Sequence, residues 1–311
     1  DSHGIGMIGM YTNYLKAGYL HPNTPPTLVK DKGSILQFQG NLGYGQRAGF
    51  EATAAAIARA KENGLCMYTI ANCCHLGRIG TYGEMAADAG MVSIHFVNVN
   101  QYHPLVAPYC GSEARFGTNP FCVAMPGTDK YGMFVLDFAT SIVALGKTRV
   151  AMLAGKKFDE PVIVDPEGRL TNDPNVMWQE NPGALLAFAK HKGSGLCFAC
   201  ELMAGILSGG ETIQPAHPRN DSIVNNMTAF VIDPAALCDL TFMRSEMQAM
   251  IDYVKSSHAA DPVNNPVLMP GEPERIRTKD RLENGIEIAD GEFNVIKKTC
   301  LDAGVDASLF A

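Results

Sequence analysis

The chain has 311 residues, 46% of them hydrophobic and 18% charged, which suits an ordinary globular protein with room for two lobes and real cores. A formal net charge of −7 excludes nucleic acid as a partner, since phosphate recognition needs clustered Lys and Arg. No apolar run approaches the ~20 residues that span a bilayer, and nine cysteines without framework spacing or a signal peptide before them point to reduced thiols in a cytoplasm.

In chain order, residues 1–30 read as short pieces broken by the loop HPNTPP at 21–26. Ser34 to Phe38 is a predicted strand and 41–46 a turn. Residues 47–64 form the clearest helix: Ala-rich, with Phe50, Ala54, Ile57 and Ala58 at helical spacing and Gly64 to end it. A strand follows over Cys66–Ile70, then a loop at 72–80, a helix at 81–89 and a strand from Met91 to Val99. That last strand alternates Val92, Ile94 and Phe96 against Ser93 and His95. Met133–Leu136 reads as a buried strand with Asp137 at its end, and Thr140 or Ser141 is placed to cap a helix over Ile142–Ala154. Strand, acid, hydroxyl-rich turn and helix N-terminus make a suitable seat for a phosphorylated cofactor. Beyond it come a strand at Val162–Val164, helices at 183–191 and 195–208, a strand at Thr228–Ile232 and a helix at Glu246–Ser256. A loop over Asn264–Pro273 and a helix near 291–303 complete the chain. No clean βαβ rhythm emerges, so the sheet is expected to be mixed.

Several motifs carry competing readings. Gly4, Gly6 and Gly9 spell G-x-G-x-x-G, but no strand precedes them and HPNTPP occupies the crossover region, so a Rossmann site is rejected. Gly146-Lys147-Thr148 imitates the end of a P-loop, with Ser at 141 where that motif needs Gly. A nucleotide hydrolase is therefore disfavoured, yet it stays, with a non-enzymatic small-molecule binder, as a second class of function. Cys197 and Cys200 share a face of an apolar helix and read as core. Asn72-Cys73-Cys74-His75 offers ligand types without a second pair nearby, so no metal is assigned. His75, in a loop with Asn72, Gly77, Arg78 and Gly80, is a candidate general acid or base, beside the alternative of a hydrogen-bonded structural histidine.

The segments FGTNP at 116–120, DFATS at 137–141 with ALGKT after it, HKGSGL at 191–196 with ELMAGILSGG behind it, and LMPGE at 268–272 resemble the type-2 malate/L-lactate dehydrogenase family. DSHGIGMI at the start and HLGRIG at 75–80 fit the same family. The resemblance implies an α/β, non-Rossmann, sulfolactate-dehydrogenase-like fold: a mixed sheet flanked by helices, with a second, smaller lobe. The expected lobes are 1–80 with 275–311 on the substrate side and 81–274 for the cofactor. The implied reaction is reversible hydride transfer between NAD, with NADP as the alternative, and a small 2-oxo or 2-hydroxy acid; cyclic 2-imino acids are the alternative substrates. The cofactor is expected against Thr118, Asn119, Pro120, Asp137, Thr140, Ser141, Lys192, Gly193, Gly271 and Glu272.

Ser2, His3 and Gly4 match a triplet that lines the active site in relatives, where the histidine is assigned as proton donor; Asp137 is expected to position the donor or touch the cofactor. His75 gains weight because relatives carry Asn-Ser-x-His-x-Gly there, although Cys73 replaces the Ser. Relatives often carry an Arg where this chain has Met7. The substrate carboxylate then falls to Arg78, Arg115 or backbone N–H groups, with Asn72 beside them, or the substrate is bulkier and more apolar. Family membership also implies a homodimer, to which helix 195–208 is suited. A segment that is helical in relatives is expected ahead of residue 1, because the chain opens inside a motif.

Overall fold

The computed structural model describes residues 4–261, 265–288 and 290–310. Helix α1 (Ile8–Ala17) follows a 3-10 turn at Ile5–Met7, where the sequence reading had only short pieces. Strands β1 (Thr27–Asp31) and β2 (Ile35–Gln39) form a hairpin, and α2 (Gly45–Asn63) closes at Gly64 in the left-handed conformation, φ 79°. Then come β3 (Leu65–Cys74), α3 (Gly80–Asp88), β4 (Val92–Asn100), β5 (Phe121–Met125) and β6 (Phe134–Phe138). Helix α4 (Leu145–Leu153) leads to three two-residue strands, β7 (Ile163–Val164), β8 (Leu170–Thr171) and β9 (Ala184–Leu185). Helix α5 (His191–Ser208), β10 (Val224–Ile232), α6 (Leu240–Lys255), α7 (Glu272–Asn284) and α8 (Asp290–Asp302) follow.

The main sheet has seven strands in the order β1-β2-β3-β10-β4-β5-β6. Only β2 and β3 pair in parallel, so the sheet is mixed, as expected. Helices α2 and α3 cover one face: Thr53 shares a hydrogen bond of 2.7 Å with Tyr68, and Gly83 seats against Ala124 and Cys122. Helix α5 covers the other, where Thr228 Oγ1 donates to the Met203 carbonyl. The main core is the alanine stripe Ala48, Ala52, Ala56 and Ala60 packed on Tyr68, Ile70, Met227 and Val231. β7, β8 and β9 form a small second sheet around Val106, Ile163 and Leu185. α1 packs on α8, with Gly9 facing Thr299 and Lys16 reaching the Asp302 carbonyl.

Several local expectations change. β4 does not alternate apolar-in and polar-out: Ser93 and His95 are fully buried on the α2/α3 face, while Val92, Ile94 and Phe96 are half-buried. The strand is interior and covered on both sides, so the pattern no longer reports which face is wet. Residues 183–191 are not a helix; β9 occupies 184–185, and Ala189 and Lys190 adopt positive φ just before α5. α7, absent from the sequence reading, buries no residue and so has no apolar stripe to announce it. Gly146-Lys147-Thr148 lies inside α4, not in a loop ahead of a helix. Cys197 and Cys200 are both buried. Among the described residues no helix is long and apolar enough to cross a membrane.

Candidate active site

The expected loop at 72–80 begins later than its residue types suggest. β3 runs on through Cys74, and Asn72 sits in it at φ 56°, where the register against β10 shifts between Asn225 and Met227. This bulge is pinned from β10. Asn72 N donates to Asn226 Oδ1 at 2.8 Å, and Leu76 N donates to Asn225 Oδ1 at 2.8 Å. His75 falls between these two anchors, at the point where the strand ends. Cys73 is fully buried with its thiol on the Asn225 carbonyl, so it meets protein, not ligand. Cys74 turns instead to the Tyr19 carbonyl at 3.2 Å. Among the described residues no three His, Cys, Asp or Glu side chains are grouped to hold a metal.

His75 is 9% exposed. Its Nδ1 lies 2.8 Å from the Tyr11 hydroxyl of α1, which accepts a 2.6 Å hydrogen bond from Gln46 Nε2 of α2. Burial pushes the Tyr11 phenol up to about 12, so it stays protonated at neutral pH. Tyr11 and Gln46 therefore fix the ring on this side. Arg78 is committed elsewhere: its two terminal nitrogens grip Glu84 at 2.8 Å each, and its Nε is 3.8 Å from Asp137 Oδ2.

Asp137 lies within β6, opposite Cys122, not at the strand's end. Its Oδ2 accepts the Gly80 N–H at 2.8 Å and so satisfies the start of α3. Burial pushes its carboxyl above the usual range, against the pull of the Gly80 N–H and the Arg78 charge. Arg115 is exposed, pairs with Glu113 and lines a cleft of 530 Å³ with Phe198, Leu202 and Arg219; neither His75 nor Tyr11 lines it. Ser2 and His3 lie outside the described residues.

Three of the four expected cofactor segments come together. Thr140 N donates to the Thr118 carbonyl at 2.9 Å, and Thr140 Oγ1 reaches the carbonyls of Thr118 and Asn119 at 3.0 Å. Phe188 N donates to the Thr140 carbonyl at 3.1 Å, and Gly193 packs so closely on the Phe188 carbonyl that a Cβ would not fit. Thr118–Pro120, Asp137–Ser141 and Lys192–Gly193 thus form one wall. Gly271 and Glu272 sit instead beside the opening of β6, where the Pro270 carbonyl receives Val135 N; the Glu272 carboxylate binds Lys255. Thr140 and Ser141 do not cap the following helix. α4 starts at Leu145 after Ala144, and Ser141 Oγ turns to the Val143 carbonyl.

The wall suits a pyrophosphate. α5 begins with no side-chain cap and no acid in its first turn, and carries Lys190, His191 and Lys192 there, leaving backbone donors and positive charge for an anion. Asn119 Oδ1 is buried without a partner among the described residues.

One carboxylate ties this wall to the His75 strand, and sequence reading passed over it. Glu201 is 3% exposed in the middle of α5. It accepts from Asn98 Nδ2 at 2.9 Å, Ile213 N at 2.8 Å and Asn119 Nδ2 at 2.7 Å. Asn98 Oδ1 accepts from Asn226 Nδ2 at 2.9 Å, and Asn226 holds Asn72. Burial pushes Glu201 upward, opposed by these donors. The available signal was a glutamate in an apolar helix together with Asn225-Asn226 beside a predicted strand.

A family model described as malate/L-lactate dehydrogenase matches residues 1–297. Hydroxycarboxylate dehydrogenase B of Escherichia coli O157:H7 is 40% identical over 298 residues, 95% of this chain and 81% of that protein. L-lactate dehydrogenase of Cupriavidus necator is 40% identical over 273 residues, 88% of this chain and 78% of its own. The solved structure of sulfolactate dehydrogenase from Methanocaldococcus jannaschii superposes with a TM-score of 0.83 at 30% identity, covering 99% of this chain and 87% of that one.

Proposed function

This chain belongs to the malate/L-lactate dehydrogenase family and is an oxidoreductase of 2-hydroxy acids, and from that premise we propose that His75 moves the proton of its reaction. The nicotinamide ring, when bound, supplies the hydride to C2 or takes it away. In the reducing direction the carbonyl oxygen gains charge as C2 is reduced, and a positioned acid must give it a proton. The observation that carries the reading is the His75 ring, nearly buried at a strand end and held at Nδ1 by Tyr11.

NAD, with NADP as the alternative, lies along Thr118–Pro120, Asp137–Ser141 and Lys192–Gly193, with its phosphates toward the uncapped start of α5. Gly271 and Glu272 contact it only if α7 approaches that wall, and Asp137 acts by holding the start of α3 beside it. The first 80 residues with 275–311 then make the substrate side, and 81–274 the cofactor side. Because Arg78 is bound to Glu84, its part is to hold the loop after His75, and the substrate carboxylate takes N–H groups of that loop beyond Leu76, with the Asn72 side chain beside them. Arg115 serves the cleft beside α5. The substrates are small 2-oxo and 2-hydroxy acids of lactate, malate or aryl type, with cyclic 2-imino acids as the second class to assay.

We place the enzyme in the cytoplasm, where nine free thiols stay reduced. Its homodimer uses the outer row of α5, where Phe198, Leu202 and Ile206 are exposed at helical spacing.

Single variants assayed in the reducing direction test the proton donor. His75→Ala is expected to lower kcat by about 10²–10⁴-fold with unchanged NADH affinity. His3→Ala is expected to raise KM more than it lowers kcat. Near-native turnover in His75→Ala, with His3→Ala inactive, transfers the role to His3.

A further inference from the structure

We propose that Tyr11 and Gln46 form a proton relay behind His75, so that the ring works as a neutral imidazole and not as a pre-formed imidazolium. The proposal rests on the reading of His75 as the proton-transfer group.

The placement begins with a glycine. At Gly45, the first residue of α2, the carbonyl oxygens of Cys74 and His75 occupy the space a Cβ would need. The first turn of α2 is thereby pressed against the end of β3, and the next residue, Gln46, reaches the far side of the His75 ring through Tyr11. The polarity of the contacts then decides the tautomer. Gln46 Nε2 can only donate, so the Tyr11 oxygen accepts from it. The phenol has a single proton and is kept protonated by burial. That proton faces the remaining neighbour, Nδ1 of His75 at 2.8 Å. With Nδ1 accepting, the neutral ring carries its hydrogen on Nε2. Among the described residues the other titratable side chains beside Tyr11 are Tyr44, Cys74 and Tyr82, none of them a carboxylate that would draw the proton the other way. A histidine oriented by a carboxylate has the opposite polarity, because there Nδ1 donates and the imidazolium is favoured.

The transfer balances in both bonds. In reduction the Nε2–H bond breaks as the O2–H bond forms, and the Tyr11 O–H bond breaks as Nδ1–H forms. The ring stays neutral throughout. The negative charge ends on the Tyr11 oxygen, where the Gln46 N–H holds it until solvent water returns a proton. In oxidation the same path runs backward. Tyr11 and Gln46 are positioning residues here, since both act through His75.

Two measurements on the intact enzyme test this. The first is kcat for reduction across the range where an ordinary imidazole titrates, near pH 6.5. The wild type is expected to hold its rate through that range, whereas Tyr11→Phe, deprived of the relay, needs an imidazolium and loses rate as pH rises. Gln46→Leu is expected to lower kcat about tenfold with unchanged NADH affinity, consistent with one lost hydrogen bond to a charge. A wild-type rate that falls through the imidazole range, unchanged by Tyr11→Phe, overturns the proposal.

The second is the 15N spectrum of the His75 ring above its titration. Nε2–H is expected in the wild type, and Nδ1–H in Gln46→Glu, whose carboxylate accepts the Tyr11 proton. Nδ1–H in the wild type, the state a reversed Gln46 amide would impose, also overturns it. Should Gln46→Glu not fold, the ring in Gln46→Leu is expected to show both tautomers, and a pure Nε2–H ring there removes Gln46 from the relay. An active His75→Ala enzyme defeats the catalytic reading instead, and leaves the ring spectrum to stand or fall alone.

Discussion

His95 shows how a polar residue in a strand can mislead and inform at once. Its place in an alternating segment suggests a wet face, yet it is fully buried, with Nε2 3.1 Å from Ser93 Oγ and its ring edge-on to Tyr68. Burial pulls its titration down to about 3. The unfolded chain binds a proton near pH 6.5 that the folded chain refuses, so His95 makes stability fall as pH drops from about 6.5 toward 3, by about 1.4 kcal/mol per unit. Above that window the effect vanishes. His95→Leu is expected to flatten this dependence, read as the urea midpoint at several pH values. An unchanged slope would mean that the buried ring takes up a proton after all. His75, by contrast, was singled out by its own neighbours in sequence. Its real partners, Tyr11 and Gln46, were not, because they arrive from α1 and α2 and no local pattern links them.

Elements were legible where one force dominated. α2 declares itself through alanines and Gly64, but the face was misread. Ala48, Ala52, Ala56 and Ala60 form the packed stripe, while Phe50, Ala54 and Ala58 of the expected row are exposed, because alanines on every side leave the helix without a contrasting polar face. β3 was cut short because Asn72 is a poor strand former; the side chains of Asn225 and Asn226 on β10 hold that end in place by tertiary contact. The start of α4 was misplaced because Thr140 and Ser141, good cap residues, spend their hydroxyls on nearby carbonyls. The junction of α2 with β3 offers a test at this scale. Gly45→Ala adds a methyl where the Cys74 and His75 carbonyls stand, and backbone cannot step aside as a flexible side chain can. The expected cost is about 1–3 kcal/mol in urea denaturation, with a larger loss in kcat than thermal stability alone explains. A variant with native kcat would show that the His75 strand end tolerates displacement.

At the scale of the whole molecule, the mixed sheet between two helix layers was legible from the irregular succession of strands and helices, while the strand order was not, since no sequence pattern says which strand lies beside which. For assembly, Ile206→Glu places a charge in the exposed row of α5, 60% exposed in the single chain. It is expected to convert a dimer to monomer by light scattering, and a dimer that persists moves the interface elsewhere. The order β3-β10-β4 has a temporal consequence. A chain emerging from the ribosome completes β1-β2-β3 and β4-β5-β6 long before β10, at 224–232, exists to bridge them. Until then it holds two half-sheets, each with a bare hydrogen-bonding edge open to any other strand. The bridging strand also brings the two asparagines that pin Asn72 and Leu76, on either side of His75. Synthesis halted before residue 224 is therefore expected to leave insoluble chains, and release of the complete chain to be followed by slow closure. The late strand joins the scaffold and fixes the strand end that carries His75 in the same event.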